Sequence, residues 1–399
     1  MIMRKDFLVY GKPSIHQAEI DSVVEVMESG WLGTGPRVDQ FEQEFAHYKG
    51  VPSSQVAALN SCTAALHTSL VALNLEPGDE VITTALTFCA TVNAIIHAGA
   101  TPVLADIDPL TMNIDVQDLK RRITERTRAI LPVHFAGRPC LMDEIMNLAE
   151  RHNLMVVEDC AHAIETEYHG AKAGTIGHFG CFSFYVTKNV ITGEGGMAIA
   201  REPEAIDRIK ILSLHGMSKD AWKRYSDDGY KHYKVVECGF KYNMTDLQAA
   251  IGTNQLNRVE QNWRRRRDIW NSYQAAFKTL PVKTPAKPEP GTRHSYHLYT
   301  LQIEPDVCGV TRDEFMNALR RRNIGVGVHY TCLADHPFYQ HEFGWDSADY
   351  PNARKTGETT VSLPLSAGLS DADVTDVIDT VCEVIHKAIQ ARYKLVNGI

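Results

Sequence analysis

Between Val56 and Ala200, short apolar runs that read as strands alternate with segments whose apolar residues recur at helical spacing. Val56-Ala-Ala-Leu-Asn60 precedes a helical run over 63–75, and Pro77-Gly-Asp79 then turns the chain into the strand Glu80-Val-Ile-Thr-Thr84. A helix over 91–97, the strand Pro102–Asp106, the run Arg128–Phe135 and the strand Leu154–Glu158 continue the series. Parallel strands need a crossover, usually a helix, so this alternation predicts an α/β fold with a mostly parallel sheet covered on both faces. In such sheets ligands gather at the carboxyl ends of strands. Asn60, Asp159 and Lys188 fall at or just past such ends.

The pattern changes after about Leu256. A long charged helix over 257–277 carries Arg264-Arg-Arg-Arg267, a run that reads as a solvated face. Four prolines between Pro281 and Pro290 mark an irregular connection. A smaller α/β region follows: strand His297–Gln302, helix Arg312–Arg322, strand Gly325–Tyr330 and a closing amphipathic helix Asp371–Ile389. A chain of 399 residues exceeds one core, so two domains are expected, 1–256 and 257–399.

Lys188 ends the apolar run Cys181-Phe-Ser-Phe-Tyr-Val-Thr-Lys188, read as a short buried strand, and Gly193-Glu-Gly-Gly196 turns the chain into a second apolar run, Met197–Ala200. A lysine near apolar surface loses stabilisation of its charged form, so its pKa falls and its amine becomes nucleophilic. Such amines form Schiff bases with carbonyls, including the aldehyde of pyridoxal phosphate. Taken alone, Lys188 reads as a surface lysine at a strand end. Asp159, at the carboxyl end of the Leu154 strand, changes that reading. A buried aspartate facing a pyridine nitrogen keeps it protonated and makes the ring an electron sink.

Other residues near these strand ends carry an ordinary reading beside a functional one. Ser61-Cys62-Thr63 lies between strand and helix, where amides and hydroxyls cradle a phosphate or simply cap the helix. Phe88 would stack on a planar ring, or be a core aromatic. Ser183 adds a hydroxyl, and His162 is either a partner for a cofactor's phenolic oxygen or a satisfied core histidine.

Composition excludes several classes. The net charge of −8 and pI of about 6.1 argue against a general nucleic-acid partner. Nine cysteines without zinc or disulfide spacing, several inside apolar runs (Cys62, Cys160, Cys181), read as buried free thiols in a reducing cytoplasm. The opening residues read as neither leader nor anchor, and no apolar stretch reaches bilayer length, so no membrane partner is expected.

Together, these segments resemble the DegT/StrS nucleotide-sugar aminotransferases. The likeness rests on Ser183–Gly196 around Lys188 and on Glu158-Asp-Cys-Ala-His-Ala163. Trp31–Pro36, Ser61–Leu66, Gly239–Asp246 and Gly325–Tyr330 extend it, so that it runs nearly the whole chain. It implies the fold type I aminotransferase architecture: a large domain with a mostly parallel seven-stranded sheet flanked by helices, plus a smaller C-terminal α/β domain. It also implies a homodimer with the active site at the subunit interface. The implied cofactor is pyridoxal 5'-phosphate, passing through pyridoxamine 5'-phosphate. The implied reaction moves an amino group from L-glutamate, leaving 2-oxoglutarate, to a nucleotide-linked keto-sugar. By the same resemblance Lys188 is the Schiff-base lysine and proton shuttle, Asp159 pairs with the pyridine nitrogen, Phe88 covers the ring and His162 lies near the phenolic oxygen. Cys62, Thr63 and Ser183 hold the phosphate. Lys241 or Asn243 is implied to reach the partner subunit's phosphate; many members carry glycine at the position of Cys62, and Asn and Arg at those of Lys241 and Asn243.

The region around His215 and Lys241–Asp246 is similar to members that aminate a C4 ketone, among them the 4-amino-4-deoxy-arabinose aminotransferases of lipid A modification. Trp31, His215, His329 and Tyr330 are candidates for sugar contact. Rival readings are a C3-ketone aminotransferase and a C3-dehydratase, which has histidine in place of the lysine. Two further rivals are a desulfurase using Cys332 and a sensor that keeps the fold without turnover.

Overall fold

The computed structural model describes residues 4–218 and 233–397. The opening Met1-Ile-Met3, part of the stretch read above as leaderless, lies outside them. Twelve strands occur among the described residues. They are β1 (Val56–Leu59), β2 (Glu80–Thr84), β3 (Thr101–Ala105), β4 (Thr127–Leu131), β5 (Met155–Asp159), β6 (Glu167–Tyr168), β7 (Ala171–Lys172), β8 (Phe179–Ser183), β9 (Gly196–Ala200), β10 (Thr292–Arg293), β11 (Tyr299–Gln302) and β12 (Thr360–Leu363). Seven of them form one sheet in the order β1-β9-β8-β5-β4-β2-β3. Only β9 runs antiparallel to its neighbours; the other pairings are parallel. This is the seven-stranded, mostly parallel α/β fold expected above. β1, β2 and β9 are buried at every position, as strands covered by helices on both faces must be.

Helix Cys62–Ala72 lies across the sheet, and Ala65, Leu66 and Leu70 join β-strand residues such as Leu59, Val157 and Ala198 in one core. A second core is built on the antiparallel pair β11–β12. Trp270, Tyr273 and Phe277 of helix Val259–Phe277 close around Tyr299, with Phe315, Val377, Val381 and Ile385 behind them.

The structure corrects three expectations. The strand predicted to run from Cys181 to Lys188 ends at Ser183. Beyond it the ladder passes to the 192–195 turn, where Phe184 N–H donates to Gly195 O (2.9 Å) and Thr192 N–H to Phe184 O (2.8 Å). Lys188 therefore sits in a turn, its N–H donating to Tyr185 O (2.8 Å). The predicted strand Gly325–Tyr330 is not one. Its hydrogen bonds are split between Leu8 on one side and Ser362 on the other, so no continuous ladder forms. The arginine run is not wholly solvated: Arg264 is exposed, but Arg266 is buried against Glu165.

Candidate active site

One cavity of about 520 Å³ opens at the carboxyl ends of β1, β2, β5 and β8. Its wall contains Cys62, Thr63, Phe88, Asp159, His162, Ser183, Lys188, His329 and Tyr330, so nine of the predicted residues converge there. Trp31, His215 and Asn243 are not in its wall. Trp31 folds back, its indole N–H donating to Thr34 O (3.0 Å). Asn243 donates to Thr34 Oγ1 (2.6 Å), and His215 is exposed in a left-handed turn. Lys241 is exposed as well.

Parallel pairing of β5 with β8 sets Asp159 opposite Cys181 in register and fixes the carboxylate at the cavity floor. Asp159 Oδ1 accepts from Ala161 N–H (3.0 Å) and Oδ2 from the Thr91 hydroxyl (2.9 Å), which is itself 2.9 Å from the Thr87 hydroxyl. Burial pushes this carboxyl upward, opposed by those two donors and by the Lys188 charge. Thr91 was not singled out from the sequence. The available signal was a hydroxyl in the first turn of a helix that follows a strand end. Lys188 faces the same space, and burial lowers its amine from its ordinary value to about 8. That amine is a usable nucleophile near neutrality.

At the other end, Ser61 caps helix Cys62–Ala72 by accepting from Ala64 N–H (3.1 Å). The amides of Cys62 and Thr63 lie in the first turn, where N–H groups have no intrahelical acceptor. Gly196, at the start of β9, makes the approach possible: a Cβ there would stand 2.3 Å from Ser61 C and 2.5 Å from Cys62 N. Burial keeps the Cys62 thiol well above its ordinary pKa, hence protonated. The helix start, the Thr63 hydroxyl and the Ser183 hydroxyl make an anion cradle of modest charge.

Phe88 caps helix Cys89–His97 and is 57% exposed, so the core reading fails and its ring is available to cover a ligand. His162 is buried. Its Nδ1 accepts from Ala136 N–H (3.3 Å) and its Nε2 lies 3.1 Å from the Tyr330 hydroxyl. Burial and the Lys188 charge drive its pKa well below the ordinary value, so the ring is neutral. With Nδ1 accepting, the single ring proton resides on Nε2 and points at Tyr330. His329 Nδ1 contacts Ser362 Oγ (2.8 Å), and burial and Lys188 lower its pKa to about 4. Tyr185, Thr187, Glu194 and Gly195 complete parts of the wall and were also missed. Cys332 is fully buried, which removes the mobile-cysteine rival.

Comparison with known proteins places this geometry. The model of the DegT/DnrJ/EryC1/StrS aminotransferase family matches residues 13–382. The chain is 49% identical over 387 residues to the spore coat polysaccharide biosynthesis protein SpsC of Bacillus subtilis (strain 168), covering 96% of this chain and 99% of SpsC. Among solved structures, Spr1654 of Streptococcus pneumoniae, described as a sugar aminotransferase, was determined in PMP and PLP forms. Its PMP form has a TM-score of 0.90 at 34% identity over 97% of this chain and 100% of that one. PseC of Helicobacter pylori, an aminotransferase involved in the biosynthesis of pseudoaminic acid, has a TM-score of 0.88 at 28% identity over 96% and 100% of the two chains.

Proposed function

The chain belongs to the DegT/DnrJ/EryC1/StrS aminotransferase family, enzymes that use pyridoxal phosphate to aminate sugars. From that premise we propose that it transfers the amino group of L-glutamate to the C4 keto group of a nucleotide-linked sugar. The observation that carries the reading is Lys188, with its depressed pKa, sharing one cavity with the buried, doubly hydrogen-bonded Asp159. A surface polysaccharide relative and a pseudoaminic acid relative support a glycan as the destination of the product.

The residues present fit the cofactor. Asp159 is the acceptor for a pyridinium N–H, Phe88 is a free aromatic face, and the close approach at Gly196 leaves an amide cradle for the phosphate. Lys188 is the group that would join the aldehyde. Bound there, pyridoxal phosphate supplies an electron sink for the carbon that loses or gains nitrogen. Lys188 Nζ, neutral above about pH 8, accepts the proton from that carbon and returns it on the opposite half of the cycle. The Thr91 hydroxyl and the Ala161 N–H fix the orientation of the Asp159 carboxyl.

We place the active site at the interface of a homodimer. Among the described residues the cavity wall holds no arginine, and Lys188 is its one lysine. A phosphate and a nucleotide diphosphate need more positive charge than that; Lys241 of a second copy would supply it, or Asn243 of that copy would give the phosphate a neutral amide donor. An apolar stripe on helix Gln17–Ser29 supports a second copy: Ile20, Val24 and Met27 are each about half exposed, beside exposed Trp31 and Leu32. Trp31 and His215 are then retained as sugar contacts made across that interface, with His329 and Tyr330 on the near side.

Absorbance of the purified protein tests this. Addition of pyridoxal phosphate should give a yellow band that glutamate bleaches, and a 4-keto nucleotide sugar should restore it faster than a 3-keto one. Faster recovery with the 3-keto sugar would move the assignment to C3. No band would overturn the cofactor reading and favour a sensor.

A further inference from the structure

Resting on that reading, the hydrogen-bond pattern around His162 assigns a donor to the cavity. His162 has one proton and two occupied nitrogens. Its Nδ1 accepts from Ala136 N–H at 3.3 Å, and its Nε2–H is given to the Tyr330 hydroxyl at 3.1 Å. The backbone enforces that state: Ala136 sits in the left-handed region (φ 56°), and its carbonyl takes the N–H of His297 (3.1 Å). His297 in turn is packed on the His162 ring with centroids 4.4 Å apart and is held through Nδ1 by Asn189 Oδ1 (2.9 Å). Both amide hydrogens of Asn189 go to Glu165 Oε2 (2.7 Å) and Ser295 O (3.1 Å), so His297 must be the donor in that contact. His162 thus has neither tautomeric nor rotational freedom.

Because Tyr330 receives a proton from His162, its own O–H is left to donate. Tyr330 lies in the cavity wall with its ring 6.0 Å from that of Phe88. In pyridoxal phosphate the phenolic oxygen is on the carbon next to the one bearing the aldehyde, between the positions that Lys188 and the pyridine nitrogen's partner Asp159 define. The hydrogen-bonded His162–Tyr330 pair lines the same cavity as Lys188 and Asp159. The other titratable groups facing the pair are His297, His329, Tyr10 and Cys89. We propose that Tyr330 donates its hydroxyl proton to the cofactor's phenolic oxygen, and that His162 is the positioning residue that turns this proton toward the cavity.

A hydroxyl donated to a phenolate draws off negative charge, so a cofactor held on Lys188 would keep the proton that sets its yellow band less tightly. Removing the hydroxyl should therefore raise the pH at which the yellow band of the cofactor-loaded protein titrates. The experiment is an absorbance pH titration of the loaded wild type, Tyr330→Phe, His162→Leu and His162→Gln, with far-ultraviolet circular dichroism to confirm folding. For Tyr330→Phe the expected shift is upward by about one unit, a tenfold tighter proton. His162→Leu should shift the same way. His162→Gln, which keeps an acceptor for Ala136 N–H and a donor for Tyr330, should stay near wild type. An unchanged titration in Tyr330→Phe overturns the proposal, and a shift in His162→Leu alone would make His162 itself the donor. A wild type that takes up no cofactor would instead break the functional reading beneath it.

Discussion

Glu165 and Arg266, 101 residues apart in sequence, form an ion pair that is closed to solvent on both sides. Glu165 Oε2 also accepts from Asn189, the residue after Lys188, so a charge on helix Val259–Phe277 braces the peptide that carries the amine. Removing one member leaves the other buried and uncompensated, which typically costs about 3 to 5 kcal/mol. Arg266→Met and Glu165→Leu should both lower the denaturation midpoint substantially. A double Glu165→Leu, Arg266→Met variant should lose less than the sum, because no orphan charge remains. Strict additivity in urea titrations would contradict this.

Gly137 carries two independent constraints. Its φ is 92°, and an added Cβ would lie 2.6 Å from Ser295 Cβ and 2.9 Å from His162 O. Strain of this kind costs about 1 to 3 kcal/mol, and overpacking adds a comparable amount. Gly137→Ala should therefore destabilise by about 2 to 4 kcal/mol and weaken cofactor binding, because the displaced atoms include the backbone of His162. A melting temperature within a degree of wild type would show that the turn yields more easily than its packing implies.

Neither of these two sites is legible in the sequence, whereas parts of the fold and of the cavity are. Asp159 closes the strand-like run Leu154-Met-Val-Val-Glu158, so its place at a strand tip follows from local pattern, and the alternation around it makes the parallel sheet readable. Lys188 lies at the site its sequence context indicates but on a turn and not a strand, because the transfer of the β8 ladder to Gly195 depends on pairing that no local pattern encodes. Arg266 looked solvated because its partner is far away in the chain. Phe88 looked like core until its position as a helix cap left it exposed. The sequence offers no way to tell that Trp31 folds back over Gly35, since that depends on contacts within the 31–35 turn.

The apolar stripe Ile20-Val24-Met27 predicts what holds two copies together. Its members recur at i, i+4 and i+7 on helix Gln17–Ser29, yet they face outward. Burying half-exposed side chains of this size contributes about 1 kcal/mol or more each. Val24→Asp should convert a dimer to a monomer in sedimentation velocity and leave the far-ultraviolet spectrum unchanged. A monomeric wild type, or a Val24→Asp dimer, would require another interface.

The amine of Lys188 should reveal itself before any substrate is known. Its pKa of about 8 is depressed by burial, so the neutral fraction rises tenfold per pH unit up to about pH 8 and then levels. Ordinary lysines keep gaining until above pH 10. Trapping with pyridoxal and a hydride reductant, read by peptide mass spectrometry, should give a Lys188 rate that plateaus near pH 8 while surface lysines are still climbing. Lys49 is the internal control. Burial lowers its pKa further, to about 7, but its Nζ donates to Ile164 O and Ala173 O (both 2.9 Å) and it is 3% exposed. If a low pKa were enough, Lys49 would label first; if access to the cavity is also required, Lys188 labels and Lys49 does not. Lys188→Ala should abolish both the trapped adduct and transamination while the protein stays folded, since the side chain's role is chemical. Wild-type turnover in that variant would remove Lys188 from the mechanism altogether.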